Sequence, residues 1–333
     1  MAATGTDAKS KYIDARFKHI NSHFAGAIGV DELVARAEAA LYGFGFTGEN
    51  SIALSNLCRD ESTAYLRNRI ENVFGASFST QSLGAVPTFG LTGLGAGTGH
   101  SPTDPVTGKE RYVFFSFPHI AIDATGKVGP IVRPGRPKVS GACGALVAAL
   151  GHIGASGVEA ECKNPGTHDP LDIEYSILKQ KMARQLKTEG VTDVSKMNLV
   201  DFTKVCERLV TQELREMIAK GVDSSKADWA LITGVQIHSW AGDAAAADAD
   251  LEFVWPTEFT VCVGGKETKL EWSAVPKLPP RQMAVLAAQQ AAPFDVTGEL
   301  AGVCAAGAAS GIARPERLAA ERAEADKFAK LLK

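Results

Sequence analysis

The chain has 333 residues, 45% of them hydrophobic and 22% charged, a balance that suits a folded globular protein and excludes disorder over most of its length. Its 35 basic and 38 acidic residues leave a net charge of -3, so there is no basic footprint for nucleic acid, and no apolar run approaches the roughly 18–20 residues that span a bilayer. Six cysteines are too few for a disulfide scaffold and suit a reducing compartment, where each is either a buried small hydrophobe or a functional thiolate.

The first dozen residues are small and polar, with no apolar core of a secretory signal. Residues 31–41 read as a helix, with Asp31 as its cap and Leu33, Val34, Ala37 and Leu41 on one apolar face. A short strand over 51–57 ends at Cys58, and a helix starts at Asp60 and runs to about Val73. Residues 84–99 are glycine-rich and read as a loop with little regular structure. The aromatic and β-branched run 111–117 is a strong strand signal, continuing into His119 and Ile122. A Pro/Gly loop follows over 126–138. Its basic residues Arg133, Arg136 and Lys138 read as a solvated face. Cys143 precedes an apolar helix over 145–150, and longer helices are expected near 171–187 and 201–220. Residues 229–238 read as a buried strand, 241–250 as an exposed loop, and 252–272 as a hairpin turning at Gly264 and Gly265. Beyond Pro276 the chain becomes Ala/Gly-rich and ends in a charged helix from Pro315, with Leu318, Ala325, Phe328, Ala329 and Leu332 on one face. The expected organisation is a tail over 1–19, a main domain over 20–275 and an extension over 276–333. Alternating strands and helices place the main domain in the α/β class, with a mixed, largely parallel sheet flanked by helices.

Cys58 and Cys143 share a setting, since each falls where a strand or turn feeds a helix N-terminus and a thiolate is favoured. His119 ends the best strand. Two thiolates and one imidazole would leave a fourth position open on zinc, as catalytic sites do. The spacings, 61 and 24 residues, match no short zinc motif, so from the residues alone two buried cysteines with a satisfied core histidine are the favoured reading. Asp60 is either a carboxylate beside a metal-bound water or a helix N-cap, with Arg59, Arg36 and Arg16 as charge partners. The glycines at 93, 95, 97 and 99 lack the lysine and hydroxyl of a phosphate loop. Cys162 falls in a polar loop, Cys206 in a helix, Cys262 in a strand and Cys304 in the Ala-rich stretch. All four read as structural. A cysteine hydrolase built on Cys143 and His119 would want a further orienting group.

Seven strings resemble the limiting-CO2-inducible protein B family, which is similar to β-type carbonic anhydrases and includes relatives called theta-type. They are SIALSNLCRDE (51–61), TGLGAGTGH (92–100), YVFFSFPHIAI (112–122), VGPIVRPGR (128–136), SGACGAL (140–146), EYSILKQKM (174–182) and ITGVQIH (232–238). The resemblance covers roughly 20–272 and implies a β-carbonic-anhydrase-like fold. It implies zinc held by Cys58, His119 and Cys143, with Asp60 beside it. The β-type pattern Cys-x-Asp-x-Arg departs here, because the arginine position is Ser62. Arg36 is expected to pair with Asp60 instead, with Arg59 second. The implied activity is reversible hydration of CO2 to bicarbonate by a zinc-bound hydroxide, in inorganic carbon handling. The residues 84–99 would wall the CO2 pocket. The alternative is a catalytically silent zinc-bearing scaffold, or a bicarbonate-sensing partner of a paralogue. The resemblance further implies a homodimer or a larger assembly with a paralogue, while the charge balance and the lack of a long apolar run give the expectation of no nucleic-acid or membrane partner. The expected compartment is the chloroplast stroma, or the cytoplasm if no transit peptide is removed.

Overall fold

The computed structural model of the chain describes residues 16–133, 138–163, 169–240, 251–273 and 275. The extension over 276–333, with its expected helix, and the expected loop over 241–250 lie outside the described residues.

An eight-stranded mixed sheet organises the domain. It contains β1 (Ile28–Gly29), β2 (Ile52–Leu57), β3 (Phe78–Ser79), β4 (Glu110–Phe117), β5 (His119–Ala121), β8 (Ala227–Ser239), β9 (Leu251–Val263) and β10 (Lys266–Lys269), while β6 (Pro130–Val132) and β7 (Val139–Gly141) form a separate antiparallel pair. The strand order is β1-β9-β8-β4-β2-β3, with β5 also on β8 and β10 also on β9. β2, β3, β4, β5 and β8 join in parallel, and the β9 pairings are antiparallel. Along β8 and β9 the register shifts between Thr233 and Gly234. Thr233 pairs with Glu258 but Gly234 pairs with Pro256, so Thr257 is an extra residue in β9.

The helices are α1 (described over 16–23), α2 (Val30–Gly43), α3 (Ala64–Phe74), α4 (Gly90–Thr98), α5 (Gly144–Ser156), α6 (Val158–Lys163), α7 (Ile173–Thr188) and α8 (Leu199–Gly221). Successive strand residues point to opposite faces, and both faces are covered, which is why the central strands are apolar throughout. Leu54, Tyr112, Phe114 and Leu231 pack with Leu146 of α5, Leu178 of α7 and Leu209 of α8. Their chain neighbours Ala53, Val113, Phe115 and Ile232 pack on the other face, with Leu33 and Leu41 of α2 and Ile70 of α3. Each such side chain, once fully buried, contributes about 1.5–3 kcal/mol.

Three local expectations change. α2 starts one residue before Asp31, with Gly29 as its cap. Asp31 accepts instead from the Tyr65 hydroxyl and pairs with Arg69. The glycine-rich stretch contains α4 rather than a loop. Glycine disfavours an isolated helix by about 1 kcal/mol per residue, but packing decides here. A Cβ on Gly97 would sit 2.7 Å from Leu54 and 2.8 Å from Phe78, so only glycine lets α4 lie this close to the sheet. Cys162 lies in α6, not in a loop. Among the described residues no helix is long and apolar enough to cross a membrane.

Candidate metal centre

The parallel strands deliver their carboxyl ends to one region, the place where functional groups collect in α/β sheets. Cys58 follows the last residue of β2. His119 opens β5, two residues beyond the end of β4. Cys143 is the N-cap residue of α5, so its sulfur sits at the positive end of that helix. The Gly84 N–H donates to Cys58 Sγ at 3.3 Å. Gly84 has φ +62, and a Cβ there would press on Leu146 and Leu178. The residue can therefore bring its backbone to the sulfur only as glycine.

The two sulfurs are 3.7 Å apart. Ligand-capable atoms of Cys58, His119 and Cys143 all lie within 4.8 Å of one another, and all three residues are buried. The His119 ring is held from one side. Its Nδ1 is 2.8 Å from His238 Nε2 and 3.4 Å from Ser62 Oγ. Its Nε2 is buried with no hydrogen-bond partner. Buried polar atoms normally find a partner. An orphaned imidazole nitrogen beside two thiols is the donor set of a metal site, and the residues fit such a group.

The three groups bias one another. The hydrogen bond from Cys143 holds the Cys58 thiol well below its usual range, with help from His119. The same hydrogen bond and burial push Cys143 well above its own. Burial lowers the pKa of His119, but the charge on Cys58 outweighs it and raises the value.

Asp60 sits two residues beyond Cys58. Its Oδ1 accepts from the Ser62 N–H at 3.0 Å, which is the expected capping contact. Its Oδ2 accepts from Arg133 Nη2 at 2.6 Å. Burial opposes ionisation, but this guanidinium holds the carboxyl well below the usual carboxylate range, with the charge of His119 adding to it. The expected pairings with Arg36 and Arg59 are corrected. Arg36 is spent on structure, donating to the carbonyls of Trp272 and Val275 and to Glu32. Arg59 points outward to Glu174, at 2.8 Å. Arg16 donates to Ser239. Arg133, expected on a solvated face, is only 10% exposed in its side chain and bridges Asp60 and Glu61. At position 62, a buried serine hydroxyl lies between His119 Nδ1 and His238 Nε2. The cation beside Asp60 comes instead from Arg133, which follows the last residue of β6.

The sequence reading missed His238 and Glu252. A signal existed. Gln236 and His238 are polar residues at alternate positions of a strand buried throughout, and such residues need partners. Among the described residues the other cysteines are not members of the cluster. Cys206 donates to the Gly84 carbonyl, and burial pushes its thiol up, as it does for Cys162 and Cys262. Cys304 lies outside the described residues.

Residues 27–263 match the family of limiting CO2-inducible proteins B/C beta carbonic anhydrases. The crystal structure of limiting CO2-inducible protein LCIB is 45% identical, over 75% of this chain and 96% of that one, with a TM-score of 0.62. PtLCIB4, a homolog of LCIB, shares the fold at 23% identity, over 77% of this chain and 98% of its own, with a TM-score of 0.62. No curated protein matches. The length of the matched region and the 45% identity together place the chain in the limiting CO2-inducible proteins B/C beta carbonic anhydrase family.

Proposed function

We propose that the protein is a zinc-dependent carbonic anhydrase that interconverts CO2 and bicarbonate. The observation that carries this is the buried Cys58–His119–Cys143 cluster with its orphaned His119 Nε2, in a chain of this family. Those three residues would hold the ion, and two thiolates with one imidazole favour zinc over harder metals. Zinc held there lowers the pKa of a water it binds towards neutrality, which makes hydroxide available for attack on carbon.

The chain's own residues set the remaining conditions. Asp60, kept ionised by Arg133, can only accept hydrogen bonds. It thus orients the reacting oxygen by taking its proton in a hydrogen bond. Arg133 acts through Asp60 as a positioning residue. The residues Ala121, Ile131 and Ala142 form a small buried apolar cluster against Trp240, and each lies one or two positions from His119, Arg133 or Cys143. An apolar wall of this kind suits an uncharged triatomic substrate, and a net charge of -3 gives a neutral molecule no penalty on approach. Of the stretch expected to wall the pocket, Gly84 reaches the cluster through Cys58.

Stopped-flow CO2 hydration, run with metal analysis on wild type, Cys58→Ser and Cys143→Ser, tests the proposal. Near one zinc per chain and hydration in the wild type, both lost in the variants, is the expected result. Activity retained in both variants would sink the ligand assignment. Zinc without hydration across the pH range would select the silent scaffold. The homodimer remains a proposal resting on the family resemblance, and light scattering on the full chain tests it, a monomer overturning it.

A further inference from the structure

The cluster is backed by a second, wholly buried chain of groups. His238 and Glu252 are directly opposed across β8 and β9. His238 Nδ1 lies 2.8 Å from Glu252 Oε1, and both side chains are nearly inaccessible, at 0% and 4%. The same Oε1 accepts from Trp240 Nε1 at 2.6 Å, and Oε2 accepts from Gln236 Nε2 at 3.0 Å. The indole N–H can only donate, so Oε1 acts as an acceptor and His238 carries its hydrogen on Nδ1. The Nε2 of a neutral His238 is then an acceptor, and it lies 2.8 Å from His119 Nδ1. His119 must therefore carry its own hydrogen on Nδ1. That leaves the lone pair on Nε2, the atom with no partner in the protein.

Resting on the metal reading above, we propose that His238 and Glu252 are positioning residues of the centre. They hold His119 in the one tautomer and ring orientation that can ligate, and the carboxylate increases its basicity through two successive hydrogen bonds. A carboxylate or carbonyl behind a ligating histidine commonly does this in one step. Here a second imidazole is interposed, so the charge sits one ring further from the metal. Strand register rather than loop conformation places every member of the chain. Gln236 and His238 are two apart on β8, His119 pairs with Gln236 on β5, and Glu252 faces His238 from β9.

The test uses the full chain with zinc or cobalt(II) as the probe. Chelator competition measures zinc affinity for wild type, Glu252→Gln, His238→Phe and His238→Gln, with circular dichroism to confirm folding. Affinity should fall by about 10–100-fold in Glu252→Gln and His238→Phe. His238→Gln should recover most of that loss, because its amide oxygen can accept from His119 Nδ1–H. The visible bands of the cobalt form should shift in Glu252→Gln, which a purely structural role would not cause. Zinc affinity within twofold of wild type in both Glu252→Gln and His238→Phe, with an unchanged cobalt spectrum, overturns the proposal while leaving the metal site standing. A wild type that takes up no zinc overturns both. If His238→Phe fails to fold, the isosteric Glu252→Gln decides alone.

Discussion

Both ends of β4 carry buried polar groups, and the two ends use them differently. At its start, Arg111 is 1% exposed and pairs at 2.8 Å with Asp104, itself 3% exposed. Lys109 pairs nearby with the inaccessible Asp228 of β8. Asp104 also accepts from the amides of Val106 and Thr107. Each of these charges is met by an opposite one from the same chain. Just past the end of β4, His119 is equally buried, yet its Nε2 is left over beside two sulfurs. Burial alone therefore does not mark a site. A site is marked by a buried ring nitrogen left without a partner among other ligand-capable atoms, here within 4.8 Å of the Cys58 and Cys143 sulfurs.

If that contrast is correct, the two ends should fail in different ways. Asp104→Asn strands the Arg111 charge. It is expected to cost about 3–5 kcal/mol of stability in denaturant melts, while zinc per folded chain stays at the wild-type level. Loss of zinc from the folded Asp104→Asn protein would break the comparison. Next in size, Arg133→Ala should lower CO2 hydration on the order of 100-fold, about 2.7 kcal/mol of barrier, with zinc content retained. A variant as active as wild type would remove Asp60 and Arg133 from the working end.

Acid should act on the structural end with a definite sign. Burial opposes ionisation of Asp104, but Arg111 and two backbone amides hold its carboxyl well below the usual range. A folded value depressed below the unfolded one, about 3.9, means the stabilisation is present above the unfolded value and drains away as pH falls towards the folded one. Wild-type stability should decline below about pH 4–5, and Asp104→Asn should show a shallower decline in acid melts. An identical slope would show that the pair does not govern that end. The smallest effect is expected at Arg59, whose side chain is 58% exposed on Glu174. Arg59→Ala should change stability by less than about 0.5 kcal/mol and leave hydration within about twofold of wild type, the outcome that separates it from Arg133.

The parts of this arrangement that were legible in the sequence are those that depend on local order. Cys58, His119 and Cys143 each fall at the end of a strand or the start of a helix, and periodicity alone locates such places. The central strands were equally plain, because burial on both faces makes them apolar throughout. The partner of Asp60 was not legible. Arg133 is 73 residues away, and no spacing rule links a capping carboxylate to a distant hairpin. α4 was hidden because its glycines argue against a helix locally, while the reason for them, the approach of Gly97 to Leu54 and Phe78, lies on other elements. His238 was visible only as a polar residue in a buried strand, and recognising Glu252 as its partner required the register of β9.

That register turns on a single residue. Before the shift at Thr233, β8 and β9 partners follow one count; after it they follow another, offset by one. Were Thr257 paired in the ladder rather than bulged out, the first count would continue, set Phe253 opposite His238 and turn Glu252 to the other face. Glu207 pins the extra residue. Its Oε1 accepts from Thr211, Thr233 and Thr257. Arithmetic thus matters here as much as chemistry. Every residue of the His119–His238–Glu252 chain could be kept, and pairing Thr257 into the ladder would still put β9 out of phase with the metal centre. The number of residues between His238 and the Thr257 bulge is as much a part of the centre as the side chains it aligns.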